Sequence, residues 1–439
     1  MVDTGSKAIE WIHSRKPFGS RPGLQRVAAL LDLVGHPEKK VPTIHIAGTN
    51  GKGSTISYLK EMLQAAGIVV GTFTSPYIES FHERIAIDGK FITDEELVLL
   101  VNKYQPLVEK LDQQEAVSGI TEFEVLTALA FDYFVGKVDV AIIEVGLGGL
   151  LDSTNVVEPM LTAITTIGYD HTEILGDTLE LIAEQKAGII KENVPVVTGN
   201  IPENALGVIT QTADKKHSTI YRFGEEYQVN YLHPDDNWGE WFDFSNQNGK
   251  LKHLKTALIG RHQPENAGVA IQLFQLYCEQ NKINWQEKEI KKALQKTFWP
   301  ARMERLSTEP FIILDGAHNT HAMKSLVESV QNEFSDRKLH ILFSALETKN
   351  VAEMLQELLQ LKNSHIYLTT FDYPRAIKLD DDFVNVDEKR VSIVSLWQFG
   401  LAEILEKMDD ESLLLVTGSL YFVAEVRSLL LEMGGPHVS

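Results

Sequence analysis

A two-domain α/β fold follows from three observations on this 439-residue chain. Short apolar runs alternate with amphipathic helical stretches. One of those runs, beginning at Thr43, ends in a glycine-rich turn carrying a single lysine. The alternation halts at Phe298-Trp299-Pro300-Ala301 and resumes beyond it. Continuous apolar strands separated by helices make a mostly parallel sheet with helices on both faces, joined by right-handed crossovers. The expectation is a P-loop-type domain over residues 1–297 and a smaller Rossmann-like α/β domain over 298–439.

The first strand runs into Gly48-Thr49-Asn50-Gly51-Lys52-Gly53-Ser54, and a helical segment spans 54–66. A strand–turn–helix unit of this kind aims backbone N–H groups and the positive end of a helix at an anion. Lys52 adds a full charge that can reach terminal phosphates. The spacing departs from the usual G-x-x-x-x-G-K-[ST]. Gly48 lies three residues before Gly51, Gly53 follows Lys52, and Ser54 comes one place late. Read alone, the turn is either a nucleoside triphosphate cradle or a glycine-rich connection with an exposed lysine. Its position between strand and helix favours the cradle.

Further buried strands are expected at 68–73, 138–145, 161–167 and 194–198, and helices at 95–110, 122–134 and 179–191. Between about 220 and 260 aromatic and polar residues mix with turn sequences, Pro234-Asp235-Asp236-Asn237 and Asn248-Gly249, which suggests a small antiparallel appendage. Helices from about 265 and over 286–296 complete the first domain. Pro300 stops the preceding helix. Strands at 311–315, 339–344, 365–370 and 413–417 then build the second sheet. Ligands of such sheets bind beyond the carboxyl ends of the strands, so two facing domains would form a cleft for two substrates.

Composition narrows the function. With 44% hydrophobic and 23% charged residues the chain reads as a globular protein with ample core. The single cysteine, Cys278, excludes an internal disulfide and a thiolate metal cluster, and its apolar helical surroundings suggest a core thiol. No basic-then-apolar leader and no run of about 18 apolar residues is present, so a cytoplasmic protein without a membrane span is expected. A net charge of −20 argues against nucleic acid, which needs a basic face. Any anion site must therefore be locally positive, as the Lys52 turn is.

Polar residues gather where the predicted strands end. Glu144 closes 138–145, and a carboxylate there suits Mg²⁺ near a phosphate turn; it can equally cap a helix or pair with a lysine. Ser75, in Thr74-Ser75-Pro76, ends another strand. His171, in Ile167-Gly168-Tyr169-Asp170-His171, is a metal ligand or a structural histidine. Lys186, on the 179–191 helix, reads by itself as a solvated lysine. Asp315-Gly316-Ala317-His318-Asn319 ends a strand of the second domain, and Arg302 and Arg305 stand near the junction, where an arginine can reach a phosphate.

Taken together, these strings resemble the Mur ligase superfamily, and within it the folylpolyglutamate synthase branch. The resemblance runs nearly end to end. Gly48-Thr49-Asn50-Gly51-Lys52 resembles the superfamily's own form of the phosphate loop. Phe18-Gly19-Ser20-Arg21 through Leu33-Val34-Gly35-His36-Pro37, Thr74-Ser75-Pro76-Tyr77 through Phe81-His82-Glu83-Arg84-Ile85, and Glu144-Val145-Gly146-Leu147-Gly148-Gly149 through Leu151-Asp152-Ser153-Thr154-Asn155 resemble the folate branch. So do Glu184-Gln185-Lys186-Ala187-Gly188-Ile189, Gly260-Arg261-His262-Gln263 with Asn266, and Leu314-Asp315-Gly316-Ala317-His318-Asn319.

The resemblance implies roles that spacing does not. Gly48 to Ser54 would hold ATP phosphates, with Lys52 among the catalytic residues. Ser75 and Glu144 would coordinate one Mg²⁺, and His171 with Glu144 a second. Lys186 matches a lysine that is carbamylated by CO₂. Asn266, Arg302, Asp315 and His318 would contact the nucleotide, and Lys349 the phosphate region. Three departures stand out: Leu150 where the family usually has arginine, Ala301 where it has glycine, and Ser344 with Glu347-Thr348-Lys349-Asn350 as a loosened form of a lysine-rich string. The expected activity is ATP-dependent ligation of L-glutamate to the γ-carboxylate of reduced folate, by a monomer. A bifunctional enzyme that also glutamylates dihydropteroate is an alternative. So is a cell-wall Mur ligase with a UDP-linked substrate, against which the folate-type segments from Phe18 and Ser75 argue. A non-catalytic P-loop module that only binds ATP is the alternative of a different class.

Overall fold

Every position of the strand Thr43–Ala47 (β1) is buried, as a strand with parallel neighbours and helices on both faces requires. In the computed structural model, residues 1–16, 23–379 and 389–434 are described; Phe18-Gly19-Ser20-Arg21 lies outside them. β1 is followed by β2 (Val70–Phe73), β3 (Ile85–Ile87), β4 (Lys90–Phe91), β5 (Val140–Glu144), β6 (Leu161–Ile164), β7 (Val196–Thr198) and β8 (Ile220–Arg222). They form one eight-stranded sheet in the order β4-β3-β2-β5-β1-β6-β7-β8. The six strands from β2 to β8 in that order are parallel, whereas β3 and β4 add an antiparallel edge.

The helices Gly5–His13, Gln25–Val34, Asp94–Asp112 and Glu122–Phe134 share one apolar cluster with Phe73, Ala141 and Ile143. Leu179–Ala187 and Glu203–Lys215 share another with Ala47, Ile164 and Val196. Capping boxes set several helix starts, among them Ser80 with Glu83, Thr93 with Glu96, and Thr121 with Glu124. Cys278 is buried in the helix His262–Asn281, and burial pushes its thiol up to about 12.

Two expectations are corrected. The helix expected over 179–191 stops at Ala187. A Cβ on Gly188 would lie 2.4 Å from the Leu150 Cα, so the helix ends where another backbone crosses it. Residues 220–222 are not part of an antiparallel appendage. They pair parallel with β7 and form the edge of the main sheet. A turn held by Glu226, which accepts from the Arg222 N–H and guanidinium, then reverses the chain. The appendage itself is β9 (Tyr227–Pro234), β10 (Glu240–Asn246) and β11 (Gly249–Thr256).

A second sheet contains β12 (Glu304–Thr308), β13 (Phe311–Leu314), β14 (Lys338–Phe343), β15 (Ser364–Thr369), β16 (Val391–Val394) and β17 (Ser412–Thr417), in the order β12-β13-β17-β14-β15-β16. All pairings are parallel except β12 with β13. Ile313, Ile341, Phe343, Leu413 and Leu415 centre its core. By packing, the chain up to Asn230 with Phe242–Lys255 and Pro264–Thr297 makes one compact unit. Tyr231–Trp241, Thr256–Gln263 and the chain from Phe298 make the other.

Candidate active site

Strand order places the first unit's polar residues together. β1 lies between β5 and β6, with Ile46 opposite Glu144 and Ala47 opposite Ile164, and β2 flanks β5 on its far side. The residues that follow these four strands therefore gather at one end of the sheet, as expected for a doubly wound sheet.

The turn after β1 is fastened to the residues that follow β6. The Thr49 N–H donates to the Thr166 carbonyl at 2.9 Å. The Thr49 hydroxyl donates to the Gly168 carbonyl at 3.1 Å and accepts from its N–H at 3.0 Å. Asn50 donates its N–H to the Thr166 hydroxyl, and its carbonyl accepts from the Thr165 hydroxyl at 2.6 Å. Side chains crowd both glycines. A Cβ on Gly48 would lie 1.9 Å from Thr165 Oγ1, and one on Gly51 would lie 2.3 Å from Asn266 Oδ1. Gly51 also has φ 82°, which favours glycine. Asn266, on the helix His262–Asn281, thus rests directly over the turn. The helix Lys52–Ala65 begins at the turn, carrying Gly53 and a buried Ser54 in its first residues.

Lys52 Nζ donates to the Gly48 carbonyl at 3.1 Å and stands 3.8 Å from Glu144 Oε1. Glu144 is buried at the end of β5, and its Oε2 accepts the Ser75 N–H at 2.9 Å. Ser75, Glu144 and Lys52 are therefore one connected group. Lys186 is the clearest correction to reading residues one at a time: it is not solvated but 4% exposed. Burial, reinforced by the Lys52 charge, brings its amine down to about 7 against the pull of Asp170 and Asp152. Asp152 is buried as well, and burial raises its carboxyl. It accepts from the Leu147 N–H at 2.8 Å and the Thr154 N–H at 3.0 Å, and from the Thr154 hydroxyl. His171, by contrast, is half-exposed at φ 49°, with Asp170 Oδ1 at 3.8 Å and Glu173 Oε1 at 3.9 Å from its ring nitrogens.

In the second unit Asp315 follows β13. Its carboxylate accepts the Met303 N–H and the Ala317 N–H, both at 2.8 Å. Burial raises this carboxyl, with the Arg302 charge opposing. Arg302 Nη1 would lie 2.9 Å from a Cβ on Gly316, so the guanidinium lies against the turn after Asp315. His318 Nδ1 is 2.7 Å from the Gly316 carbonyl.

Comparison with known proteins gives a family for this arrangement. The Mur ligase middle domain model matches residues 46–274, and the Mur ligase glutamate ligase domain model matches 301–420. The dihydrofolate synthase/folylpolyglutamate synthase of Bacillus subtilis (strain 168) is 42% identical, covering 96% of this chain and 98% of its own. The chain belongs to the folylpolyglutamate/dihydrofolate synthase family of Mur ligases. The family's folylpolyglutamate synthase from Lacticaseibacillus casei is 36% identical over 97% of this chain and 98% of its own. A solved FPGS–AMPPCP–folate complex superposes with a TM-score of 0.86 at 34% identity, over 98% of this chain and all of that one. Mycobacterium tuberculosis folylpolyglutamate synthase complexed with ADP gives 0.90 at 29% identity, covering 97% and 98%.

The departures from the family pattern now have a structural setting. Leu150 is 45% exposed, on a segment whose N–H donates to the Gln185 carbonyl next to Lys186. Ala301 sits at φ 53°, a backbone that glycine adopts freely. Ser344 is fully buried at the end of β14, and its hydroxyl has no hydrogen-bond partner among the described residues. Thr165 and Thr166, which fasten the glycine-rich turn, were not singled out from the sequence. The strand-end rule that marked Glu144 applies to them too, because β6 ends at Ile164 rather than at 167.

Proposed function

We propose that this chain is an ATP-dependent amide ligase that adds L-glutamate to the γ-carboxylate of mono- or polyglutamylated tetrahydrofolate. One observation carries the reading: buried Glu144 joins the Ser75 N–H to the phosphate-turn lysine. A buried carboxylate set against that lysine suits a site that holds a metal together with a nucleotide's phosphates. Membership of a ligase family makes phosphoryl transfer the use for that metal.

In the proposed reaction the folate γ-carboxylate oxygen attacks the γ-phosphorus of ATP, giving an acyl phosphate and ADP. Lys52 and the turn N–H groups offset charge on the phosphoryl group in flight. The amine of glutamate then attacks the acyl carbon, loses a proton, and inorganic phosphate leaves as the amide forms. Mg²⁺, when bound, supplies charge neutralisation at the phosphate oxygens. Ser75 and Glu144 are its proposed ligands, with His171 and Glu144 for a second ion. Oxygen donors suit this ion, which commonly takes one or two carboxylates and completes its shell with phosphate and water. Among the described residues no three His, Cys, Asp or Glu side chains converge to hold a metal; phosphate oxygens fit that sparse set.

Lys186 fits carbamylation. An amine that is neutral near pH 7 can attack CO₂, forming an N–C bond and releasing a proton, so that a cation becomes an oxygen ligand. Asn266, Arg302, Asp315 and His318 are proposed nucleotide contacts. The FPGS–AMPPCP–folate complex supports ATP and a folate as substrates, and the glutamate ligase domain match supports glutamate. A monomer in the cytoplasm remains the expected state; among the described residues no helix is long and apolar enough to cross a membrane.

The Bacillus subtilis relative, named for both activities, favours a second reading in which dihydropteroate is also glutamylated. Both are tested by supplying ATP, Mg²⁺ and glutamate with tetrahydrofolate, dihydropteroate or a UDP-muramyl peptide, and weighing the products. A gain of one glutamate on tetrahydrofolate is expected. A gain only on the UDP compound would overturn the reading, as would ATP binding with no carboxylate-dependent phosphate release.

A further inference from the structure

The segment carrying Arg302 is held in a conformation its sequence disfavours. Ala301 has φ 53° and Met303 φ 44°, so two residues with side chains occupy the left-handed region on either side of one arginine. Such strain persists only where surrounding groups fix the backbone. Three hydrogen bonds do so within this unit. The Ala301 N–H donates to Glu304 Oε2 at 2.9 Å, the Ala301 carbonyl accepts the Gly316 N–H at 2.8 Å, and the Met303 N–H donates to Asp315 Oδ2 at 2.8 Å.

Glu304 is itself fixed from elsewhere. Arg427, more than a hundred residues away on the helix Leu420–Glu432, donates Nε to both carboxylate oxygens at 2.9 Å and Nη2 to Oε1 at 2.7 Å. The side chains of both partners are 4% exposed. A fork of this kind sets the direction of a carboxylate as well as its charge. The same oxygen that meets Arg427 Nε, Oε2, accepts the Ala301 N–H. The helix also presses on the turn directly, since Leu420 Cδ2 would lie 2.1 Å from a Cβ on Gly316.

We propose that Glu304 and Arg427 are positioning residues: they brace the strained Ala301–Met303 turn and so set the approach of Arg302 to the nucleotide. The chain of contact is Arg427 to Glu304, Glu304 to the Ala301 N–H, and Ala301 to Arg302. Neither Glu304 nor Arg427 needs to touch substrate. The inference rests on the nucleotide role proposed for Arg302. It goes beyond that role by naming what makes an alanine workable where glycine is usual. With glycine at 301 the left-handed backbone is accessible unaided, whereas with alanine it must be held.

The test is steady-state kinetics of the full chain with binding of a non-hydrolysable ATP analogue. Glu304→Ala is expected to raise the KM for ATP about tenfold, with the KM for glutamate changed less than twofold. Ala301→Gly added to Glu304→Ala should recover at least half of that loss on a logarithmic scale. Breaking a buried pair also destabilises the fold, so Ile341→Ala, in the same unit's core, serves as a control of comparable stability loss. The control should leave the KM for ATP unchanged. The double variant Glu304→Gln/Arg427→Met removes both charges yet keeps an acceptor for the Ala301 N–H, and should bind ATP better than Glu304→Ala/Arg427→Met. An unchanged KM in Glu304→Ala, the same rise in the Ile341→Ala control, or no recovery with Ala301→Gly would each overturn the brace. Arg302→Ala separates the two readings. Weakened ATP binding there, with none in Glu304→Ala, defeats the brace alone. Unchanged ATP binding in Arg302→Ala defeats the role of Arg302, and the brace with it.

Discussion

The turn that carries Lys52 and the turn that carries Arg302 both hold a cation close to the carboxyl end of a strand, yet they are built from different materials. The first uses glycine. Gly48 and Gly51 lie where a Cβ would meet the Thr165 and Asn266 side chains, and hydroxyls of Thr49, Thr165 and Thr166 tie the backbone down. The second uses residues with side chains, Ala301 and Met303, and restrains them with the carboxylates of Glu304 and Asp315. The first turn is permissive backbone packed against neighbours; the second is strained backbone held by buried charge. One design fails when something is added, the other when something is removed.

The largest expected effects lie on the first side. Lys52→Ala should lower kcat by about 10³-fold, the scale of losing a preorganised charge at a transferring group. Lys186→Ala should do similar damage to turnover while ATP binding, measured by calorimetry, largely survives. Full turnover in Lys186→Ala would remove the carbamate from the mechanism.

Next comes pH. The folded chain releases the Lys186 proton near 7, whereas the unfolded chain keeps it to about 10.5. Between those values the unfolded state binds more protons, so stability rises with pH. The slope is at most about 1.4 kcal/mol per unit. In CO₂-free buffer Lys186→Met should flatten that rise, read from urea midpoints at pH 7, 8 and 9.

Gly48→Ala should cost about 1–3 kcal/mol, as overpacking does. Thr165→Ala in the same chain should relieve part of the clash, so a double-mutant cycle would show coupling of at least about 0.5 kcal/mol. Additive costs would mean that Thr165 is not what excludes a side chain at 48. The smallest effect belongs to the second turn. Ala301→Gly alone should change stability by less than about 1 kcal/mol, because relief of left-handed strain is offset by the entropy of glycine. A large loss of stability there would break the contrast between the two turns.

The sheets were legible because buried parallel strands are written as apolar runs, and 140–143 and 413–416 are uninterrupted. The hairpin β3–β4 and the edge strands β12 and β16 were not, since an edge strand alternates or is cut short and its pattern fades. Glu144 and Ser75 were legible as polar residues ending apolar runs. Lys186 was legible only through resemblance: its helix has no clean apolar stripe, so nothing local marks position 186 as facing inward. Asn266 lies more than two hundred residues from the turn it covers, and only the fold brings them together.

The 3.8 Å pairing of Lys52 with Glu144 makes the resting turn close to electroneutral. If the turn holds the nucleotide as proposed, a bare anion arriving there must compete with a resident carboxylate, so inorganic phosphate and other small anions should bind it weakly. A proposed Mg²⁺ that engages Glu144 would draw that carboxylate away and leave Lys52 to the triphosphate. In linkage terms, metal and nucleotide each raise the other's affinity by the same factor. On the proposed reading, an acidic protein with a net charge of −20 would thus keep the Lys52 turn masked until the correct pair of ligands is present.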